Sequence, residues 1–144
     1  MIGHLEIERE FEGFVNGANF TCLAGKGVVH RQGHEVRRYP PLGTRDAARA
    51  LAADLWAFTS RAATPAALRA FVAVFPDRAP RSELAFERRL WAQLRRLHER
   101  DDPNVEWDPG VSDDAEDPMF AFSFAGSAYF IVGLHAQSSR IARR

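Results

Sequence analysis

Near its C-terminal end the chain carries two apolar segments, Met119 to Ala125 and Ala128 to Leu134, separated by Gly126-Ser127. Gly-Ser at that spacing suits a tight hairpin turn, so the pair predicts two antiparallel strands. Phe120, Phe122 and Phe124 alternate onto one face of the first strand. The second, Ala128-Tyr-Phe-Ile-Val-Gly-Leu134, is apolar on both faces, and such a strand has to be covered on both sides. The rest of the chain must supply that cover.

Two amphipathic segments can do so. Thr44 is a plausible N-cap for a helix running to about Arg61, with Leu51, Leu55 and Phe58 at i, i+4 and i+7 as its buried stripe. Ser82 caps the longest predicted helix, about Glu83 to Glu99, where Phe86, Leu90, Leu94 and Leu97 form the apolar stripe and the arginines face water. A third, shorter helix is predicted from Leu5 to Val15, stopped by Asn16-Gly17. Phe71-Val-Ala-Val-Phe75, ended by Pro76, reads as a buried strand. These elements predict an α+β fold, a small sheet including the C-terminal β-hairpin packed against two or three helices.

Between them, His30 to Arg38 is a basic patch and Tyr39-Pro40-Pro41-Leu42-Gly43 breaks any regular element. Arg100 to Pro118 is acidic, contains Pro103, Pro109 and Gly110, and reads as a solvated connection interrupted by a short strand at Val105-Glu106-Trp107. The length of 144 residues is that of one domain, here residues 1–144. Its 19 basic and 19 acidic side chains cancel, leaving no overall field to attract nucleic acid or an anionic membrane. Met1 to Glu10 is acidic where a secretory signal needs a basic and then apolar run, and no apolar stretch reaches bilayer length. A cytoplasmic protein is expected. Cys22 is the only cysteine, so no internal disulfide can form.

No phosphate-binding glycine loop, paired-cysteine zinc site or nucleophile elbow is present. What remains is a scattered set of soft or imidazole groups, Cys22, His30, His34, His98 and His135. His135 directly follows the second apolar strand, and Gly133 before it would let a flat ligand approach the backbone. An imidazole there could ligate a haem iron, with Arg140, Arg143 and Arg144 pairing the propionates; a strand-end histidine bonded to water is the alternative. Cys22 could serve as a thiolate ligand, or be a buried, inert thiol. Glu87, Trp91, Leu94 and His98 stand at i, i+4, i+7 and i+11, along one edge of the helix's buried face. They could hold a cationic substrate or relay protons, or simply mark where that helix meets solvent.

Taken in order, five stretches resemble the YqcI/YcgG family: Phe20-Thr-Cys22-Leu-Ala-Gly25-Lys26-Gly27, Tyr39-Pro-Pro-Leu-Gly43, Phe71 to Phe75, Phe86-Glu87 through Trp91 to His98, and Phe122 through Gly133-Leu-His135 to Ser138-Ser139-Arg140-Ile-Ala142-Arg143-Arg144. The closing Gly-Leu-His with Ser-Ser-Arg-x-Ala-Arg-Arg is the most specific. The resemblance implies haem-dependent oxygenation of an amine or guanidine nitrogen in an amino-acid-derived substrate, with haem b, dioxygen and an electron donor; a haem-binding protein without turnover and a colourless interaction domain are the alternatives. The resemblance makes Cys22 and His135 the candidate iron ligands, places Arg140 near the haem carboxylates and gives Glu87 or His98 to the pocket as candidate catalytic residues, while Gly133 and Arg143 are assigned to the cofactor by their place near His135. The chain departs from the family pattern at Leu23 and Ala136, each in place of a proline, and is expected to lack the family's C-terminal part. A shortened sheet would leave an open edge or an apolar face, which favours a homodimer.

Overall fold

The structure, a computed structural model, describes residues 34–61, 69–76 and 82–135. In chain order it contains strand β1 (His34–Arg38), helix α1 (Arg45–Ser60), strand β2 (Ala70–Val74), helix α2 (Glu83–Arg100) and the strands β3 (Phe122–Phe124) and β4 (Ser127–Tyr129). This is the expected α+β class. The helix predicted at Leu5 to Val15 lies outside the described residues, as do Phe20 to Val29.

β1 pairs with β2 in parallel, Val36 opposite Val72, and α1 is the crossover that a parallel pair requires. The sequence predicts no strand at His34–Arg38, because only Val36 is apolar there; that one side chain is fully buried, while His34, Glu35 and Arg37 are half-buried and Arg38 is exposed. Glu35 gathers those charges, accepting from Arg37 at 3.1 Å and from Arg61 at 2.9 Å.

α1 begins as the sequence predicts. The Thr44 hydroxyl accepts from the Ala47 N–H at 3.2 Å and donates to the Pro41 carbonyl at 2.7 Å, so one side chain caps the helix and closes the turn before it. The helix buries Ala47, Ala48, Leu51, Ala52, Leu55 and Phe58. Its other end is held by Arg69, which donates to the carbonyls of Phe58 and Arg61, both at 2.9 Å, with its guanidinium 3.9 Å from the Phe58 ring centroid.

α2 is capped by Ser82, whose hydroxyl accepts from Ala85 N–H at 3.1 Å, and packs on α1 through Leu94 and Leu97. It also grips the turn ahead of α1. The Gln93 side-chain carbonyl accepts from Gly43 N–H at 2.8 Å, and Arg96 Nε donates to the Gly43 carbonyl at 3.0 Å. Gly43 has φ +87°, and a Cβ there would stand 3.3 Å from the Arg89 carbonyl oxygen, so this contact needs glycine.

The hairpin differs from expectation in three ways. Its turn is Ala125-Gly126, not Gly126-Ser127: both have positive φ, 53° and 81°, the pattern of a type I′ turn, and Phe124 pairs with Ser127. Its strands are three residues each. The strand covered on both faces is the first, where Phe122, Ser123 and Phe124 are all buried, and not the second. Beyond Tyr129 the chain leaves the ladder, with Phe130 92% exposed and Ile131, Val132 and Leu134 also at the surface. An apolar sequence marks what could be covered; it does not supply a layer to cover it. Nor is there a strand at Val105 to Trp107. Trp107 is instead a loop residue that donates from its indole to the Ser112 carbonyl at 3.2 Å and sets its ring edge-on to Phe122.

Candidate functional site

His135 ends the described stretch after β4 and is buried, 6% exposed. Its imidazole stacks on Phe86 in the first turn of α2, with centroids 4.7 Å apart and planes 16° from parallel. Gly133 lies against the same ring: a Cβ on it would come within 2.7 Å of Phe86 Cε1 and 3.2 Å of Leu90 Cδ2. The sequence expects a flat group at the bare backbone of Gly133, and the flat group found there is the Phe86 ring. The local reason is the α2 stripe, which presents Phe86 and Leu90 one turn apart on the side where residues 133–135 pass.

Glu87, Trp91 and His98 all lie on the exposed side of α2, around the buried Leu94. Trp91 and His98 meet one aromatic cluster: Trp91 is 6.0 Å from Phe120, Phe120 is 6.1 Å from Trp107, and Trp107 is 5.7 Å from His98 in an edge-on contact. Glu87 is the residue after Phe86, at the His135 end of the helix. His98 is twelve residues beyond Phe86, roughly 18 Å along the axis at about 1.5 Å per residue. The two candidate catalytic residues are therefore not brought together, and only Glu87 lies at the end where His135 is held. Cys22, Arg140 and Arg143, with Arg144, lie outside the described residues.

The donor chemistry fits a haem. A haem iron takes one or two axial ligands from the protein, and a buried imidazole has the donor chemistry for that role. Ions held wholly by side chains need three or more, and no group of three His, Cys, Asp or Glu residues occurs among the described residues.

Other features escape the sequence reading because partners far apart in the chain make them. Tyr39 donates to Asp54 at 2.7 Å across fifteen residues. Burial, and then Asp54, push its phenol well above the ordinary range, so it remains a hydrogen-bond donor and is no proton shuttle near neutral pH. Burial likewise raises the phenol of Tyr129, which hydrogen-bonds Thr59. A hollow of about 340 Å³ is lined by Arg45, Ala48, Arg96, Glu99 and Arg100. The i, i+4 spacing of Arg96 and Arg100 was its one signal in the sequence, yet arginines on a helix more often simply face water.

No helix among the described residues is long and apolar enough to cross a membrane. The family model that matches the chain is that of the YqcI/YcgG family, over residues 11–144. No curated protein and no solved structure matches the chain.

Proposed function

The chain belongs to the YqcI/YcgG family, and from that membership we propose that it is a haem-dependent N-oxygenase acting on a small amine or guanidine of amino-acid origin. The observation that best supports the reading is His135, an imidazole buried beside apolar surface and fixed in orientation by its stack on Phe86. His135 is the proposed iron ligand, with Cys22 as the alternative, and Arg140 and Arg143 pair the haem carboxylates. Haem b, when bound, supplies the activation of dioxygen. The balance is that of a monooxygenase. One oxygen atom enters the new N–O bond, and the other leaves as water with two protons and two electrons from a donor.

In this reading the chain itself binds and orients. Phe86 holds the His135 ring, Gly133 leaves room for that ring pair, and Ile131, Val132 and Leu134 offer apolar surface to the macrocycle. Glu87, one residue from Phe86, attracts the cationic end of the substrate, whereas His98 stands with Trp107 at the far end of the helix. A lone cysteine without a disulfide partner suits a reducing cytoplasm. A second reading, a colourless interaction domain, is favoured by the exposed strip from Phe130 to Leu134, which would form a homodimer surface.

The test is an absorption spectrum of the full chain expressed with haem precursor, before and after reduction and carbon monoxide. A Soret band that shifts with carbon monoxide is expected, lost in His135→Ala or Cys22→Ala, whichever is the ligand. A folded, colourless protein overturns the proposal and leaves the interaction domain. Unchanged spectra in both variants remove these two ligands while keeping the haem.

A further inference from the structure

A 340 Å³ hollow between the start of α1 and the last turns of α2 is lined by Arg45 on α1 and by Arg96 and Arg100, one turn apart on α2, with Ala48 and Glu99 completing its wall. Three guanidinium groups against one carboxylate give it a surplus of two positive charges. Elsewhere the fold answers such crowding with an acid, as Glu35 does for Arg37 and Arg61. Here the one acid in the wall, Glu99, forms no ion pair with the three arginines among the described residues. Among the described residues Arg45 and Arg100 form no ion pair, and the charged pairs that do form lie elsewhere. Arg96 is already oriented by its Nε bond to the Gly43 carbonyl, which leaves its two terminal nitrogens for the hollow. Gly43 is in turn fixed by Gln93, so part of the ordering entropy of binding is spent on folding.

We propose that this hollow binds a phosphoryl group, as free phosphate or as the phosphomonoester of a small metabolite. The surplus of two matches a dianion, and planar guanidinium forks match tetrahedral phosphate oxygens better than a point charge does. The volume exceeds what a bare anion fills, and the hollow stands open to solvent, leaving room for an organic part to extend outward. Glu99, an acceptor only, would face a hydroxyl of the organic part. The site lies at the end of α2 opposite Phe86 and His135, and does not depend on the haem reading.

The experiment is an amide NMR titration of the full chain at constant ionic strength with inorganic phosphate, glycerol phosphate and, as monoanion control, acetate. Saturable shifts are expected in residues 43–48 and 96–101, with both phosphates binding about tenfold or more tighter than acetate. Tighter binding of glycerol phosphate identifies an esterified ligand, and equal binding identifies free phosphate. Arg45→Gln and Arg100→Gln should each weaken binding by about tenfold without unfolding the protein, since neither side chain holds the fold. Arg100→Lys, which keeps the charge and loses the fork, should fall between. Absence of saturation, an equal response to acetate, or undiminished binding in both glutamine variants overturns the site.

Discussion

Ala125 is an L-residue in a place made for glycine. Its φ of 53° puts Cβ close to its own carbonyl, at a cost of about 1 to 2 kcal/mol, and it stays there because its N–H donates to both carboxylate oxygens of Asp101 at 3.1 Å. The neighbouring Gly126 meets the same demand with its φ of 81° and a further one, since a Cβ on it would sit 3.2 Å from Val105 Cγ1. Ala125→Gly keeps the N–H and removes the crowding, while freeing the unfolded chain by about 0.5 to 1 kcal/mol. The variant should therefore be more stable by about 0.5 to 1 kcal/mol, seen as a higher urea midpoint at unchanged slope. A lower midpoint would mean that the Ala125 methyl, which packs against the core, contributes more than its positive φ costs.

At the scale of the element, the two helices are alike in pattern and unlike in how they begin. Ser82 makes one hydrogen bond as a cap, whereas the Thr44 hydroxyl accepts from Ala47 and donates to Pro41. Ser82→Ala should cost about 1 kcal/mol, an ordinary cap loss, and Thr44→Ala about 2 kcal/mol, because the turn that Gln93 and Arg96 grip also loosens. Equal losses in thermal melts would show that the Pro41 bond adds nothing. Both caps and both stripes were legible because helical periodicity and capping are local. β1 was not, since one valine among charges becomes a strand only when β2 lies beside it. The hairpin was legible in place but not in length or register, because the run from Ala128 to Leu134 states an affinity for cover without naming what covers it. At the candidate site, the sequence marked Gly133 and His135 as neighbours of something flat. That this is Phe86, and that Glu87 and His98 are separated along one helix, follows from packing alone.

On the scale of the whole molecule, the described strands form two separate pairs, β1 with β2 and β3 with β4, held together by the helices and by the acidic connection from Asp101 to Asp117. That connection is a fastener as well as a link. Asp101 holds the hairpin turn, and Asp108 accepts from the N–H groups of Gly110 and Ala128, both at 2.9 Å, while its own N–H donates to the buried Ser123 hydroxyl at 3.0 Å. The two N–H groups bonded to the Asp108 carboxylate, Gly110 first and Ala128 next, pull its pKa below the usual 3.8. In the folded state this carboxyl binds its proton less readily than in the unfolded chain. It therefore stabilises the fold above the ordinary carboxyl pKa, and that contribution is lost as pH falls through the lower, folded value. Asp108→Asn removes the charge and keeps one accepting oxygen, setting an NH2 donor against the N–H that the other oxygen held. The melting temperature of the variant should lie below that of the parent at pH 6, and the gap should close as the pH falls below about 3.8. A gap that stays constant across that window would assign the fastening to the shape of the side chain, and a gap that widens on acidification would reverse the direction of the linkage.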